Sequence, residues 1–294
     1  MWVSDAWKDY ELIDASGGER LERWGRYVLI RPDPQVIWTS ERSAAEWKKP
    51  NASYRRRGGG GAWEENALPE RWTIGYRDLR FIIAPGGFKH TGLFPEQAAN
   101  WDWFSALIRA AGRPVRVLNL FAYTGGATVA AAAAGASVCH VDAAKGMVQR
   151  ARENAAESGL SDKPIRYIVD DVRKFLLREK RRESFYEAVI MDPPSYGRGP
   201  NGEVWKLEDS IEELIRLAVG VLSDAPLFFL LNSYSTGLSP LAMRHVLTAE
   251  LTRAGYAFFA EEGELALRER DGSFLPCGGS VRVAFEEKGR ICRS

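Results

Sequence analysis

Two rhythms of apolar and polar positions divide the chain. Up to about residue 85 the apolar residues fall in short runs rich in β-branched and aromatic side chains. Tyr10–Asp14, Tyr27–Arg31 and Thr73–Ala84 are such runs, bounded by glycine or proline, and each reads as a strand. From about residue 113 the rhythm becomes strand, helix, strand, helix. Val115–Phe121, Ser137–Asp142, Ile165–Val169, Tyr186–Met191 and Leu227–Asn232 read as buried strands, and the helical patterns between them are Gly126–Ala134, Ala144–Ser158, Val172–Arg181 and Leu207–Leu222. A further helix, Ser239–Ala254, precedes two more strands, Tyr256–Glu262 and Gly279–Phe285, with no helical pattern between them. Alternation of this kind predicts right-handed crossovers, five parallel strands with helices on both faces, and a terminal antiparallel hairpin. The expected organisation is therefore a small, mainly β N-terminal domain (residues 1–85) and an α/β domain (86–294) with a Rossmann-like seven-stranded sheet. Within the first, Ser40–Asn66 carries Lys48-Lys49, Arg55-Arg56-Arg57 and Gly58–Gly61, and reads as a long polar loop: a solvated insertion, or an arm that contacts phosphate.

Ligands of open α/β sheets bind beyond the carboxyl ends of the strands, so the residues closing each strand carry the functional reading. The first strand ends in Asn119-Leu120-Phe121-Ala122-Tyr123-Thr124-Gly125-Gly126. Paired glycines let the backbone turn tightly and approach a ligand, and the helix that follows aims its free amides and positive dipole end at the site, which suits a carboxylate. The dinucleotide fingerprint Gly-x-Gly-x-x-Gly is absent, which weighs against a nicotinamide cofactor. The second strand ends in Asp142-Ala143, where an acid can accept both hydroxyls of a ribose. The third ends in Asp170-Asp171, where a carboxylate can accept from an adenine amino group. Each Asp alone serves equally as a helix N-cap; in series on successive strands they describe an adenosine pocket.

The fourth strand closes with Asp192-Pro193-Pro194-Ser195-Tyr196. Two prolines fix φ, remove two donors and leave carbonyl oxygens free to accept, a rigid edge against which a planar amine or base can lie while an aromatic ring stacks on it. The following stretch, Gly197 to Lys206, has the glycines of a lid, and its Arg198, Trp205 and Lys206, with Tyr234 after the fifth strand, offer charge and stacking to a substrate. The basic run Arg178–Arg182 closes a helix, where cations favour the dipole and solvent.

Phe121–Gly126, Asp142, Asp170-Asp171 and Asp192–Tyr196 together resemble the bacterial 23S ribosomal RNA large-subunit methyltransferases, which include cytosine-C5 and guanine-N7 enzymes. The resemblance covers roughly residues 86–235, and five parallel strands followed by a hairpin are the strand inventory of class I methyltransferases. It implies S-adenosylmethionine as cofactor and ribosomal RNA as substrate. It also implies that Lys89-His90-Thr91-Gly92-Leu93-Phe94-Pro95-Glu96-Gln97 lines the cofactor pocket, with Thr91, Phe94 and Gln97 touching the methionine or adenine portions. His90 by itself reads as a surface-loop residue.

Methylating C5 of cytosine requires a thiolate that adds to C6. Where the family likeness places that thiol, this chain has Ser195 and Asn232-Ser233-Tyr234-Ser235-Thr236. Cys139 falls inside a strand, and Cys277 falls between the last two strands. Transfer to nitrogen or oxygen is therefore expected, with Asp192 and the Pro193 carbonyl holding an amine and Tyr196 or Tyr234 stacking. Ser195 stands where adenine and exocyclic-amine methyltransferases carry their aromatic, which leaves the target atom open.

Composition alters this picture at two points. With 40 basic and 39 acidic side chains the whole chain lacks the basic footprint of a nucleic-acid binder, so a small-molecule or protein acceptor stays open, as does a non-catalytic binding subunit. Nine of the ten Trp lie within the first 103 residues, which suits an RNA-docking module contacting unpaired bases, or equally a subunit interface of a homo-oligomer. Three widely spaced cysteines argue against disulfides and zinc clusters. Apolar stretches too short for a membrane span, and a start without the pattern of a signal peptide, give the expectation of a cytoplasmic protein.

Overall fold

Short antiparallel strands and long parallel ones sort into two units. The computed structural model describes residues 1–57, 60–64, 67–86, 89–198, 204–235 and 237–290, with the backbone alone at 57, 198, 204, 205 and 287–290. One unit consists of Met1–Ala99, Ala156–Gly159 and Leu265–Cys277; the other of Asn100–Ala155, Leu160–Glu264 and Gly278–Ser294.

The first unit holds β1 (Trp2–Val3), β2 (Tyr10–Ser16), β3 (Glu19–Trp24), β4 (Tyr27–Pro32), β5 (Ala52–Arg57), β6 (Gly60–Glu64), β7 (Trp72–Tyr76) and β8 (Leu79–Ile83). β2 to β6 form a sheet in sequence order, and β7 and β8 a separate hairpin. Alternation along β2, β3 and β4 turns Ile13, Leu21 and Ile30 into one buried cluster, with Val28, Ala44 and Trp47 packed against it. Within the polar stretch read as a loop, Ala52–Arg57 and Gly60–Glu64 pair as the antiparallel strands β5 and β6. Arginine and glycine signal strands weakly, and the pairing is set instead by a cross-strand aromatic pair: Tyr54 faces Trp63 in register, edge to face at 5.5 Å. Gly61 is required there, because a Cβ would lie 2.5 Å from the Tyr54 ring.

The second unit begins inside a helix that the sequence pattern does not announce, α1 (Ala98–Ala110). Its Trp101, Phe104 and Ile108 are buried, but the aromatic and polar residues interleaved with them obscure the helical period. There follow β9 (Arg116–Leu120), α2 (Gly126–Ala133), β10 (Ser137–Asp142), α3 (Lys145–Glu157), β11 (Ile165–Val169), α4 (Val172–Arg181), β12 (Ala188–Met191), β13 (Tyr196–Arg198), β14 (Val204–Lys206), α5 (Leu207–Val219), β15 (Phe228–Ser233), α6 (Pro240–Arg253), β16 (Tyr256–Arg268) and β17 (Phe274–Arg290). Seven of these strands run in the order β16-β17-β15-β12-β9-β10-β11. The five of the alternating segment are mutually parallel, and β17 is antiparallel to β15, as the period predicts. This is the seven-stranded sheet that the resemblance implies, accompanied by a β-rich N-terminal unit.

β12 and β15 are buried along their whole length, which is why they read as continuous apolar runs. α5 covers them with Leu207, Ile211, Leu214, Ile215 and Ala218, spaced to share one helix face. The terminal hairpin is longer than its pattern: Cys277, expected in the connection between the last two strands, lies inside β17 and is buried. The turn falls earlier than that pattern implies, where Asp271 accepts hydrogen bonds from the backbone and hydroxyl of Ser273.

Candidate functional site

The strand order reverses at β9, which has β10 on one side and β12 on the other. Leu120 pairs with Val141 and with Met191, so Phe121, Asp142 and Asp192 emerge from three adjacent strand ends. Parallel neighbours lie about 4.8 Å apart, so this edge gathers the sequence-predicted residues of the first, second and fourth strands.

The turn after β9 is wound tightly. Phe121 and Tyr123 have φ of 54° and 50°, and Gly125 has φ of 82°. Such a backbone costs a non-glycine residue roughly 1–3 kcal/mol and persists only when its surroundings fix it. They do: Asp142 accepts from the Tyr123 amide at 2.8 Å through one oxygen and from the Ala144 amide at 2.8 Å through the other. Asn154 of α3 donates to the Thr124 carbonyl at 2.8 Å. Gly125 is the N-cap of α2, with no side-chain cap, so the first amides of that helix, at Gly126 and Ala127, are left for another acceptor. An uncapped helix start beside a carboxylate on the next strand is a donor and acceptor set that fits an amino-acid carboxylate and a ribose.

A polar relay that sequence reasoning missed lies beneath the turn. Asn119 donates to the Thr128 hydroxyl at 2.9 Å, and that hydroxyl lies 2.9 Å from Nδ1 of His140. The Thr128 hydroxyl thus links the Asn119 amide to the His140 ring. Burial, aided by Arg152, drives the His140 pKa down to about 3. A second relay closes β15: Asn100 and Ser280 donate to Oδ1 of Asn232 at 3.0 and 2.7 Å, and Arg282 donates to Oδ1 of Asn100 at 2.9 Å. Burial lowers the Arg282 pKa to about 10, and its guanidinium lies over the Trp103 ring.

The two acids after β11 have local partners. Asp171 caps α4 by accepting from the Lys174 amide at 2.9 Å, and Asp170 pairs with Arg178. Asp142 lies beside Asp170 through a backbone bond of 3.1 Å. At the fourth strand Pro193 is buried, Pro194 exposed and Tyr196 54% exposed. Tyr196 pairs with Lys206 across the β13–β14 hairpin, so both ends of the expected lid are strand. Residues 199–203 lie outside the described residues, as do the side chains of Arg198 and Trp205. Tyr234 follows β15 and is half-buried.

Thr91, Phe94 and Gln97 belong to the first unit, where Thr91 is fully buried and Gln97 8% exposed. The segment carrying them is anchored by a buried ion pair. Arg31 grips Glu22 through two bonds of 2.6 and 2.8 Å and donates to the Lys89 carbonyl at 3.1 Å. Burial alone would raise the Glu22 pKa, but Arg20 and Arg31 outweigh it and hold it at about 2. His90 is exposed, its ring 5.6 Å from that of Phe94. Cys139 is buried in β10, and burial pushes its thiol up to about 11. Burial likewise raises the Cys277 thiol well above its usual range.

A family model for S-adenosylmethionine-dependent methyltransferases matches residues 28–233. The ribosomal RNA large subunit methyltransferase K/L of Pseudomonas aeruginosa is 31% identical over 163 residues, which are 55% of this chain and 21% of that protein. The ribosomal RNA large subunit methyltransferase I of Photobacterium profundum is 40% identical over 82 residues, 28% of this chain and 21% of that one. The chain thus spans about a fifth of the length of these curated relatives. Among solved structures, the SAM-dependent methyltransferase from Agrobacterium tumefaciens is 36% identical with a TM-score of 0.89, covering 96% of this chain and 92% of that one. A Streptococcus mutans protein assigned as a SAM-dependent methyltransferase shares the fold at 18% identity and TM-score 0.75, over 95% and 76% of the two chains. The family model spans most of the chain and the Agrobacterium tumefaciens structure matches nearly all of it, so this chain belongs to the S-adenosylmethionine-dependent methyltransferases and is an enzyme that uses that cofactor.

Proposed function

We propose that the enzyme methylates a nitrogen of an RNA nucleobase, in ribosomal RNA, without a thiol nucleophile. The observation that carries this reading is the Asp192-Pro193-Pro194-Ser195-Tyr196 edge at the end of β12, one strand from the cofactor turn. The ribosomal RNA enzymes among its relatives support the substrate class. Both described cysteines are buried with raised thiol pKa values, which supports chemistry that needs no thiolate.

Bound S-adenosylmethionine supplies an electrophilic methyl group on a sulfonium. The amides of Gly126 and Ala127 would hold its carboxylate, Asp142 would accept from the ribose hydroxyls, and Asp171 would accept from the adenine amino group through the oxygen that does not cap its helix. Asp192 and the Pro193 carbonyl accept from the N–H groups of the target amine, orient its lone pair and raise its electron density, and Asp192 is the group placed to take the released proton. Tyr196 and Tyr234 stack on the base, while Lys206, with Arg198 and Trp205 on the same hairpin, contacts the flanking nucleotides. Rate comes mostly from holding nucleophile and methyl in line with water excluded.

The test is tritium transfer from labelled S-adenosylmethionine into RNA, protein and small-molecule fractions of a bacterial strain lacking the gene, followed by mass analysis of nucleosides. Label at a base nitrogen of ribosomal RNA is expected. Label at cytosine C5 would overturn the thiol-free reading, and label confined to protein or small molecules would overturn the RNA reading.

A further inference from the structure

The whole chain is nearly neutral, with a net charge of +1, yet its cations are unevenly placed. Residues 173–182 carry Arg173, Lys174, Arg178, Lys180, Arg181 and Arg182 against one acid, Glu179. That acid is buried, its side chain 1% exposed; it accepts from the Tyr186 hydroxyl at 2.6 Å and, of the six cations, pairs with Arg182. α4 turns Val172, Phe175 and Leu176 into the core, and so presents its other face outward. Lys174, Leu177, Arg178 and Arg181 are spaced i, i+3, i+4 and i+7, one stripe spanning about 10 Å. With Lys180 they line an open surface depression, in which Leu177 is 45% exposed.

Some of these cations have intramolecular work. Arg173 pairs with Glu213, Arg182 with Glu179, and Arg178 with Asp170. Lys174, Lys180 and Arg181 are exposed and, among the described residues, have no ion-pair partner. Dipole compensation accounts for cations in the last turn of a helix, but not for Lys174 in the first, where a positive charge opposes the dipole. Lys174 lies three residues beyond Asp171, which caps α4 after β11, so the stripe runs away from the carboxyl edge of the sheet.

We infer that the outer face of α4 is a docking track for the phosphate backbone of the RNA substrate, with Lys174, Lys180 and Arg181 as its phosphate contacts. This rests on the RNA reading proposed above. Exposed cations around Leu177, with the neighbouring carboxylates Asp170, Glu179 and Glu213 already held by Arg178, Arg182 and Arg173, match a polyanion and give no basis for sequence readout. The track thus supplies affinity and register, while selection of the base falls to the Asp192–Tyr196 edge.

The test compares the wild type with K174Q/K180Q/R181Q, which keeps Arg178 and its partner Asp170. Three readouts are needed: S-adenosylhomocysteine binding by calorimetry, retention of protein-free 23S rRNA on filters between 50 and 200 mM salt, and methyl transfer to that RNA. Cofactor affinity and thermal midpoint are expected to stay put, because all three side chains are exposed. The KM for RNA is expected to rise at least tenfold with kcat little changed, and the slope of log affinity against log salt to shrink by about 2 to 3, one counterion per lost contact. An unchanged slope and KM, with the wild type methylating RNA, would overturn the docking track alone. A wild type that neither binds nor methylates RNA would overturn the track and the RNA reading together.

Discussion

Replacing Gly125 by alanine probes the turn on which the cofactor site depends. Two costs add there. With φ at 82° the residue is left-handed, which costs an L-residue roughly 1–2 kcal/mol. The new Cβ would also lie 2.7 Å from the Ala151 Cβ and 3.2 Å from its Cα. Carbon atoms prefer about 3.5–4.0 Å, so turn and α3 must part by close to an ångström, an overpacking cost of about 1–3 kcal/mol. Together the substitution is expected to destabilise by about 2–5 kcal/mol, measured by denaturant unfolding. The same displacement moves the amides of Gly126 and Ala127, so S-adenosylhomocysteine binding is expected to weaken at least tenfold. Ala151→Gly separates the two costs. Alone it destabilises by about 1 kcal/mol, as glycine does inside a helix. In the double variant it removes the nearer clash but not the left-handed strain, so the double loss is expected to fall short of the sum by about 1–3 kcal/mol. Additive losses, or a single G125A loss under about 1 kcal/mol, would refute the reasoning.

Three further outcomes follow from the geometry. His140 is a base whose folded pKa is depressed to about 3, so its stabilisation is complete above its unfolded value of about 6.5 and fades as pH falls below it; about 2 kcal/mol is lost between pH 7 and 5, and His140→Gln should flatten that part of the stability profile. An acid limb of the same steepness in the variant would contradict this. Asp171→Ser keeps an N-cap for α4 and removes the carboxylate: stability should hold within about 0.5 kcal/mol while S-adenosylhomocysteine affinity drops about tenfold or more, and an unaltered affinity would remove Asp171 from the adenine site. Cys277→Ala should lose roughly 1 kcal/mol of stability but retain turnover per folded molecule; loss of methyl transfer with cofactor binding retained would sink the thiol-free mechanism.

Three elements, Ser137–Asp142, Ile165–Val169 and Val172–Arg181, have the same bounds in sequence and structure. Their signals are local: β-branched runs, and an acid that caps the next helix, although Ile165–Val169, read as a buried strand, lies at the sheet edge with no residue fully buried and Val169 50% exposed. The residues closing each strand were legible for the same reason, because topology alone brings them to one edge. The relays beneath them were not. Asn119 and His140 are single polar residues inside apolar strands, a sign that a buried partner must exist, but nothing local points to Thr128. The Asn100, Asn232, Ser280 and Arg282 relay joins positions up to 182 residues apart, beyond any periodicity. Arg55–Arg57 and the glycines after them misled because β5 and β6 are held by one aromatic pair rather than by strand-forming residues.

The terminal hairpin has a consequence for how this protein can be divided or inherited. Leu265–Cys277 belongs to the N-terminal unit, where β1 pairs with Leu265 and Ala266 and Gln35 donates to the Cys277 carbonyl at 2.9 Å. The β-rich unit is therefore not a leading module that a single cut releases. Its last strands are translated only after residues 100–264, so on the ribosome it waits, incomplete, for the catalytic sheet to be made. Expressed as residues 1–99 it would lack those partners, and a recombination event exchanging substrate-recognition modules would have to carry both pieces at once.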